Sequence, residues 1–425
     1  MSQNDNVSLK GIVVSAAVVF SRIVGCLVCA GSFALGLLLA APAVAEDVKL
    51  GILFGATGPL ASAAPALLDA VKLAVDEVNA NGGILKGQKL QIIVVDTRGT
   101  AQGSIDAATK LVKVDNVAAI VGGLTSVTLM AAAHGVTIPN GVLLISPTST
   151  ATLVTTLEDN DFVFRTIPSD AYQGWMLGKL VYDQGFRSVA LTYVNTDYGS
   201  GLADTFRASF ENRGGTITYA QAHEPNKNSY LPELKALAAG KPEALVLIAY
   251  AANSGITIIK ESLERGFFKQ FIGTNALRDN VLIKEVGADK LKGIFFTSPV
   301  PDPDTSAAEK FKKMYSAAYQ TTKGKFYIGR TYDAVMLAAL AIEQAGSTDR
   351  TKVRDALRNV CCAPGEVIEP GEWAKAKADI AAGKKINYEG ASGSLEFDEN
   401  GDVAGAIGHF IIENGHFKEV GLIAP

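Results

Sequence analysis

The chain has 425 residues, more than one hydrophobic core usually serves, so two domains or lobes are expected. With 43 acidic against 39 basic side chains its formal net charge is −4, which gives no electrostatic case for nucleic acid or an anionic membrane surface. Four cysteines and four histidines, in no metal-like spacing, argue against a disulfide framework or a metal centre.

Much of the 48% hydrophobic content sits at the front. From Gly11 to Ala45 the only charge is Arg22, and Ala43 and Ala45 precede Glu46 in the A-x-A pattern of a signal-peptidase site. Residues 1–45 therefore read as a signal peptide, and removing Lys10, Arg22 and Asp5, a net of +1, takes the charge from −4 to −5. Two other readings stay open. Ile23 to Cys26, "IVGC", resembles a lipobox whose cysteine would be acylated, and an uncleaved leader would act as an anchor. No later apolar run approaches the roughly 18 residues that a membrane span needs.

After the leader, apolar runs at 48–54, 90–95, 117–121 and 142–145 read as strands, separated by helical patterns at 65–79, 103–114 and 125–134. In the first of these helices Leu68, Val71, Val75 and Val78 share a face, and "NANGG" supplies glycines for its C-cap. Such a βαβ series predicts a parallel sheet with right-handed crossovers. A second series follows, with strands near 188–194, 216–221, 243–249 and 270–273 and helices near 171–184, 199–213, 230–239 and 253–265. Linkers are expected at "FRTIPSD" (164–170) and at "TSPVPDPDTS" (297–306), whose prolines forbid a continuous helix. Helices at about 305–320 and 329–345 have no obvious sheet of their own. Cys361 and Cys362 are adjacent, compatible with a vicinal disulfide or with two thiols. Near the end, "GSLEFDENGDVAGAIGHFIIENGHF" predicts strands joined by an Asn-Gly turn. This order of segments suggests two α/β lobes crossed three times by the chain, with a cleft between them.

The first strand runs into a glycine-rich turn, "KLGILFGATGPLAS" (49–62). Gly51, Gly55 and Gly58 do not make G-x-G-x-x-G, and no Gly-Lys-Ser/Thr follows, so a nucleotide phosphate is not indicated. The turn does lie at the carboxyl end of a strand, where open α/β sheets bind ligands. A stronger candidate is "IVGGLTSVT" with "LLISPTSTAT". Ser126 follows one strand, and Thr148, Ser149 and Thr150 follow the next, so hydroxyls, backbone N–H groups and a helix N-terminus gather at one edge. A carboxylate would find unpaired donors and a positive dipole end there, although ordinary helix capping explains the same residues. Catalytic patterns are poorly supported. G-x-S-x-G is absent, and His134, His223, His409 and His416 read as core or surface residues. "DENGD" begins like a calcium loop, but its sixth and twelfth positions are Val403 and His409, so a hairpin turn explains it better. No cofactor is implied.

The leader, "GILFGATGPLA", "AVDEVNANGGI", "VGGLTS", "ISPTST", "FRTIPSD", "TDYGSG" and "FIGTNALRD", in that order, resemble the periplasmic solute-binding proteins of branched-chain amino acid (leucine/isoleucine/valine) ABC transporters, over nearly all of residues 47–425. The resemblance implies a type I periplasmic-binding fold, two doubly wound α/β lobes joined by three hinge crossovers that close on a ligand. Lobe 1 would comprise 46–168 and 300–404, and lobe 2 would comprise 169–299 and 405–425. It implies a periplasmic, monomeric, non-enzymatic protein that delivers a small solute to a permease and its ATPase subunits. Carried over to this sequence, Ser126 and Thr150 would hold the ligand carboxylate with help from backbone groups near Thr148 and Ser149. Tyr198 would close from the second lobe, and Tyr327 and Tyr250 would be pocket aromatics. The family's acid for the ligand ammonium falls at Asn275, which is neutral, and Asp170 or Asp279 are possible substitutes. Its first-lobe tyrosine falls at Ala63, and its cysteine before the serine falls at Thr125, so that disulfide is missing. An amino acid is the first expectation for the solute. Amides, urea-like solutes and aromatic acids are alternatives, as is a ligand-sensing subunit that docks on a membrane receptor.

Overall fold

A computed structural model describes residues 46–302, 305–320 and 325–424, so the expected signal peptide, with Cys26, lies outside the described residues. Five parallel strands, β1 (Val48–Phe54), β2 (Leu90–Asp96), β3 (Ala119–Gly122), β4 (Leu143–Ser146) and β5 (Val163–Arg165), form the first sheet in the order β2-β1-β3-β4-β5. β3 and β4 are buried at every position and β1 at all but one, as strands covered by helices on both faces must be. β5 is the unexpected member. Three residues carry too little pattern to separate a buried strand from the linker predicted over 164–170.

The second sheet takes β6 (Ser188–Val194), β7 (Thr216–His223), β8 (Ala244–Ile248), β9 (Phe271–Gly273) and β10 (Phe295–Val300). The chain then builds a small sheet from β11 (Glu366–Ile368), β12 (Ile386–Gly390) and β13 (Gly393–Ser394), and returns with β14 (Ala406–Glu413) and β15 (His416–Leu422). The resulting order is β15-β14-β10-β9-β8-β6-β7, with β14 and β15 antiparallel to their neighbours. The hairpin is therefore real but displaced. It turns at Asn414 and Gly415, both at positive φ (51° and 75°), as a tight hairpin turn requires. The other Asn-Gly, at 400–401, joins no strands. Asp398 accepts hydrogen bonds from the Asn400 and Asp402 N–H groups (2.8 and 3.0 Å) and folds the segment into a local turn.

The chain passes between the two large sheets after β5, after β10 and before β14. The helix Ile328–Ala345 is buried on all sides from Ile328 to Ile342 and shares a core with β1 and the helices Ala64–Ala80 and Arg350–Cys361. This answers where the two late helices belong: the longer one is the centre of the first lobe. The helix Ala64–Ala80 buries Leu67 rather than Leu68, together with Val71, Val75 and Val78. The patterns at 103–114 and 125–134 are shorter α-helices, Ala101–Thr109 and Ser126–Ala132, each ending in a wider π turn. Cys361 and Cys362 are joined as a vicinal disulfide.

Candidate functional site

Gly122 and Gly123 end β3 because nothing else fits. A Cβ on Gly122 would stand 2.2 Å from the Leu53 carbonyl oxygen, and one on Gly123 would stand 2.8 Å from the Leu129 Cα, with φ of 145° and 72°. The turn brings the ends of β3 and β4 side by side. Thr125, not Ser126, caps the helix Ser126–Ala132, in a reciprocal box with Thr128. The Ser126 hydroxyl is thereby released from capping, and it accepts the Ala151 N–H across the gap between the two loops (3.2 Å). Thr148 donates to the Leu124 carbonyl (2.7 Å), and Ser149 donates to that of Gly123 (2.5 Å).

The facing wall comes from the second sheet. Tyr198 lies in the first turn of the helix Asp197–Asn212, Tyr250 follows β8 and Asn275 follows β9. The rings of Tyr198 and Tyr250 are 5.2 Å apart, and the Tyr198 hydroxyl meets Thr274 Oγ1 (2.8 Å) and Asn275 Oδ1 (3.2 Å). Tyr327 precedes the long buried helix with φ of 61°, a left-handed conformation that a bulky residue seldom adopts.

Thr148, Thr150, Tyr198, Tyr250, Asn275 and Tyr327 line one cavity of about 10 Å³, which Leu60 from the opening turn, Leu124 and Ala276 complete. Six of the eight expected site residues thus meet, across both sheets. Ser126 and Ser149 are buried beside the cavity without lining it, their hydroxyls tying the two loops together. A larger cavity of about 560 Å³ lies on the other side of Tyr327, beside the second crossing. It carries charges of both signs, among them Arg278, Lys325, Asp302 and Glu309, and of the expected residues it shares only Tyr327.

Residues 47–383 match the family model described as periplasmic binding protein. The chain belongs to the periplasmic binding protein family. It is 28% identical to the Leu/Ile/Val-binding protein BraC3 of Rhizobium johnstonii over 332 residues, 75% of this chain and 85% of that one. In fold it is similar to the leucine-binding protein LivK of Thermotoga maritima, with a TM-score of 0.75 and 24% identity over 89% of this chain and 99% of that one. It is similar also to a solute-binding protein of R. palustris in complex with benzoate, with a TM-score of 0.72 and 18% identity over 89% and 97% of the two chains. The two-lobe architecture with three crossings is the type I arrangement, and proteins of this family bind solutes and do not transform them. Among the described residues no helix is long and apolar enough to cross a membrane, and no group of three or more acidic, histidine or cysteine side chains could hold a metal ion.

In this periplasmic binding protein the crossings are stapled by two buried arginines that the sequence did not single out. Arg165 grips Asp402 through two bonds (2.5 and 2.6 Å), also reaching the Ala151 carbonyl and Thr155 (2.9 and 2.7 Å). Arg330 donates to the carbonyls of Thr166 (2.5 Å) and Val300 (2.9 Å), which belong to the first and second crossings. Burial lowers its pKa to about 10. Across the cleft mouth, Ser62 of the opening turn donates to Asp279, which also caps its own helix through the Val281 N–H (2.9 Å).

Burial, and then the charge of Asp170, push the phenols of Tyr198 and Tyr250 upward, so both are neutral hydroxyls. The Asn275 carbonyl oxygen accepts from Tyr198 and from Gln173 Nε2 (3.1 Å), and its side chain also hydrogen-bonds the Tyr327 hydroxyl, which ties three walls of the cavity together. Gln173 has no sequence signal beyond its helix, and its role emerges only when Asn275 and Thr297 meet it (3.1 and 3.3 Å).

Proposed function

We propose that this periplasmic binding protein is the solute-capturing component of an ABC importer, which collects a small carboxylate-bearing solute, an amino acid in the first instance, and delivers it to a permease and its ATPase subunits. The observation that carries this reading is the convergence of Thr148, Thr150, Tyr198, Tyr250, Asn275 and Tyr327, from strand ends of both sheets, on a single cavity. Thr150 and Ser126, with backbone N–H groups near Thr148, hold the carboxylate, while Ser149 fixes the loop from behind. Tyr198, Tyr250 and Tyr327 enclose the remainder, and Asn275 donates to a polar group. A carboxylate is common to the leucine-type ligands named for one relative and the benzoate named for a structural neighbour, which supports the class rather than one compound.

A space of about 10 Å³ holds at most one water, so a solute enters when the lobes part about the crossings. The lobes divide at residues 168, 299 and 404. Residues 1–45 serve as the export signal, and the mature protein works as a monomer in the periplasm.

The test is titration calorimetry of the purified protein, freed of carried-over ligand, against amino acids, amides, urea and aromatic acids. Replacing Ser126→Ala and Thr150→Val together should weaken the bound carboxylate by about 100-fold, the effect expected of lost hydrogen bonds to a charged group. Unchanged affinity would remove the carboxylate from this wall.

A further inference from the structure

Arg278 is a third buried arginine, and it lacks what the other two have. It is 7% exposed, and burial lowers its pKa to about 10, so it stays charged at neutral pH. Arg165 grips Asp402 and Arg330 donates to two carbonyls, whereas the Arg278 guanidinium reaches one hydroxyl, Ser298 Oγ (3.0 Å), and its Nε has no partner. Among the described residues no carboxylate forms an ion pair with it, and Glu419 acts on its charge only from beyond contact. Its other neighbours are aromatic: the guanidinium carbon lies over the rings of Phe326 and Phe410, 4.0 Å from each centre. A buried guanidinium normally gathers acceptors around its edge, because losing water without compensation is costly.

Arg278 stands in the wall of the cavity of about 560 Å³ beside the second crossing, a volume within the range of small-molecule sites. Its walls come from both sides of that crossing. Arg278 follows β9, and Phe410 and Phe417 belong to β14 and β15 of the second sheet. Phe311, from the helix Ser306–Tyr319, packs in the core that contains β1, and Phe326 precedes the long buried helix. The rings of Phe326 and Phe417 meet edge to face, 6.1 Å apart.

We propose that this cavity is a second binding site, for an organic monoanion with an apolar body, whose occupation draws the two sides of the second crossing together. A carboxylate brings to the guanidinium edge the acceptors it lacks, and the body attached to it lies against Phe311 and Phe417. Glu309 and Glu419 line the same cavity and repel a second negative charge, which limits the ligand to one. The site is separate from the solute cavity, with which it shares only Tyr327, whose hydroxyl Ser298 Oγ faces. Because the walls meet only when both sides are in place, a ligand held by them selects the closed arrangement.

Octanoate is the probe, with octanamide as its uncharged counterpart of similar size. In titration calorimetry the purified protein, freed of carried-over ligand, should bind octanoate about 10- to 100-fold more tightly than octanamide, a comparison that needs no variant to fold. Arg278→Gln should weaken octanoate by the same factor, and Thr150→Val, which alters the solute cavity, should not. Octanoate alone should also reduce the radius of gyration in small-angle X-ray scattering. Equal affinity for octanoate and octanamide, no binding of octanoate, or an affinity that Arg278→Gln leaves unchanged overturns the site. Weakening by Thr150→Val and not by Arg278→Gln places octanoate in the solute cleft, which overturns the second site and leaves the carboxylate reading of the cleft standing. An unchanged radius with octanoate bound overturns the closure.

Discussion

Two buried aspartates, Asp170 and Asp333, differ in one respect that separates framework from site. Both are fully buried, and burial raises the pKa of both, to about 7 and about 6. Asp333, in the second turn of the long helix, accepts from the Tyr388 hydroxyl (2.9 Å), the Ala391 and Ser392 N–H groups (2.7 and 2.9 Å) and the Ser392 hydroxyl (2.5 Å). It thereby binds the small sheet to the first-lobe core. For the Asp170 carboxyl the Thr150 side chain is the single hydrogen-bonding partner, and Thr150 lines the cavity. A carboxylate held by four donors is part of the fold's framework; one beside a cavity wall with a single side-chain partner is held by far less.

The sharpest way to break this comparison is Asp333→Ala, which strands four donors in the core and should lower the free energy of unfolding by about 3–4 kcal/mol, read from the urea midpoint. A loss no larger than that of a surface substitution would make the network incidental. Asp170→Asn should behave oppositely. Because the folded pKa is raised above the unfolded 3.8, the folded state keeps a proton that the unfolded state has lost, and wild-type stability falls as pH rises from about 4 to 7. The variant removes that penalty, so in thermal melts without ligand it should match the wild type near pH 4 and exceed it above pH 7. His223 gives the smallest and most contained test. Its ring is buried neutral between Thr192 (2.9 Å) and Ser254 (3.0 Å), and burial lowers its pKa to about 4. With the folded value below the unfolded 6.5, its contribution is complete above pH 6.5 and is lost as pH falls toward 4. His223→Gln should flatten that limb of the urea midpoint against pH; an unchanged limb would assign it to another group.

Most of the framework was legible because it rests on local periodicity. The strands at 48–54 and 188–194 carry their burial as largely apolar runs, and the helices between them repeat every three or four residues. β5 and β10 were hidden because one is three residues long and the other ends at Pro299 and Val300, inside a proline-rich stretch that predicts a linker. The late hairpin was misplaced because two Asn-Gly pairs compete, and only the pairing of β14 with β10 decides between them. Within the site, Thr148, Thr150, Tyr198 and Asn275 carried a motif signal, and Tyr327 was named only through the family resemblance. Arg165, Gln173 and Arg330 carried none, since a buried arginine or glutamine is defined by partners that only folding brings to it. Those partners are Asp402 for Arg165, 237 residues away, Asn275 for Gln173, 102 away, and Thr166 for Arg330, 164 away.

The sequence by itself determined the two alternating α/β series and the residue types at the strand ends, because hydrophobic period and turn chemistry are written locally, whereas the three crossings were only suggested by the order of segments. Only the tertiary structure decided which of those strand ends face each other. It freed Ser126 from capping, set the Asn275 amide among Tyr198, Gln173 and Tyr327, and buried Asp170 beside Thr150. The physical reason is that burial and hydrogen-bond satisfaction are properties of a side chain's surroundings, which segments distant in the chain supply only once the lobes have packed.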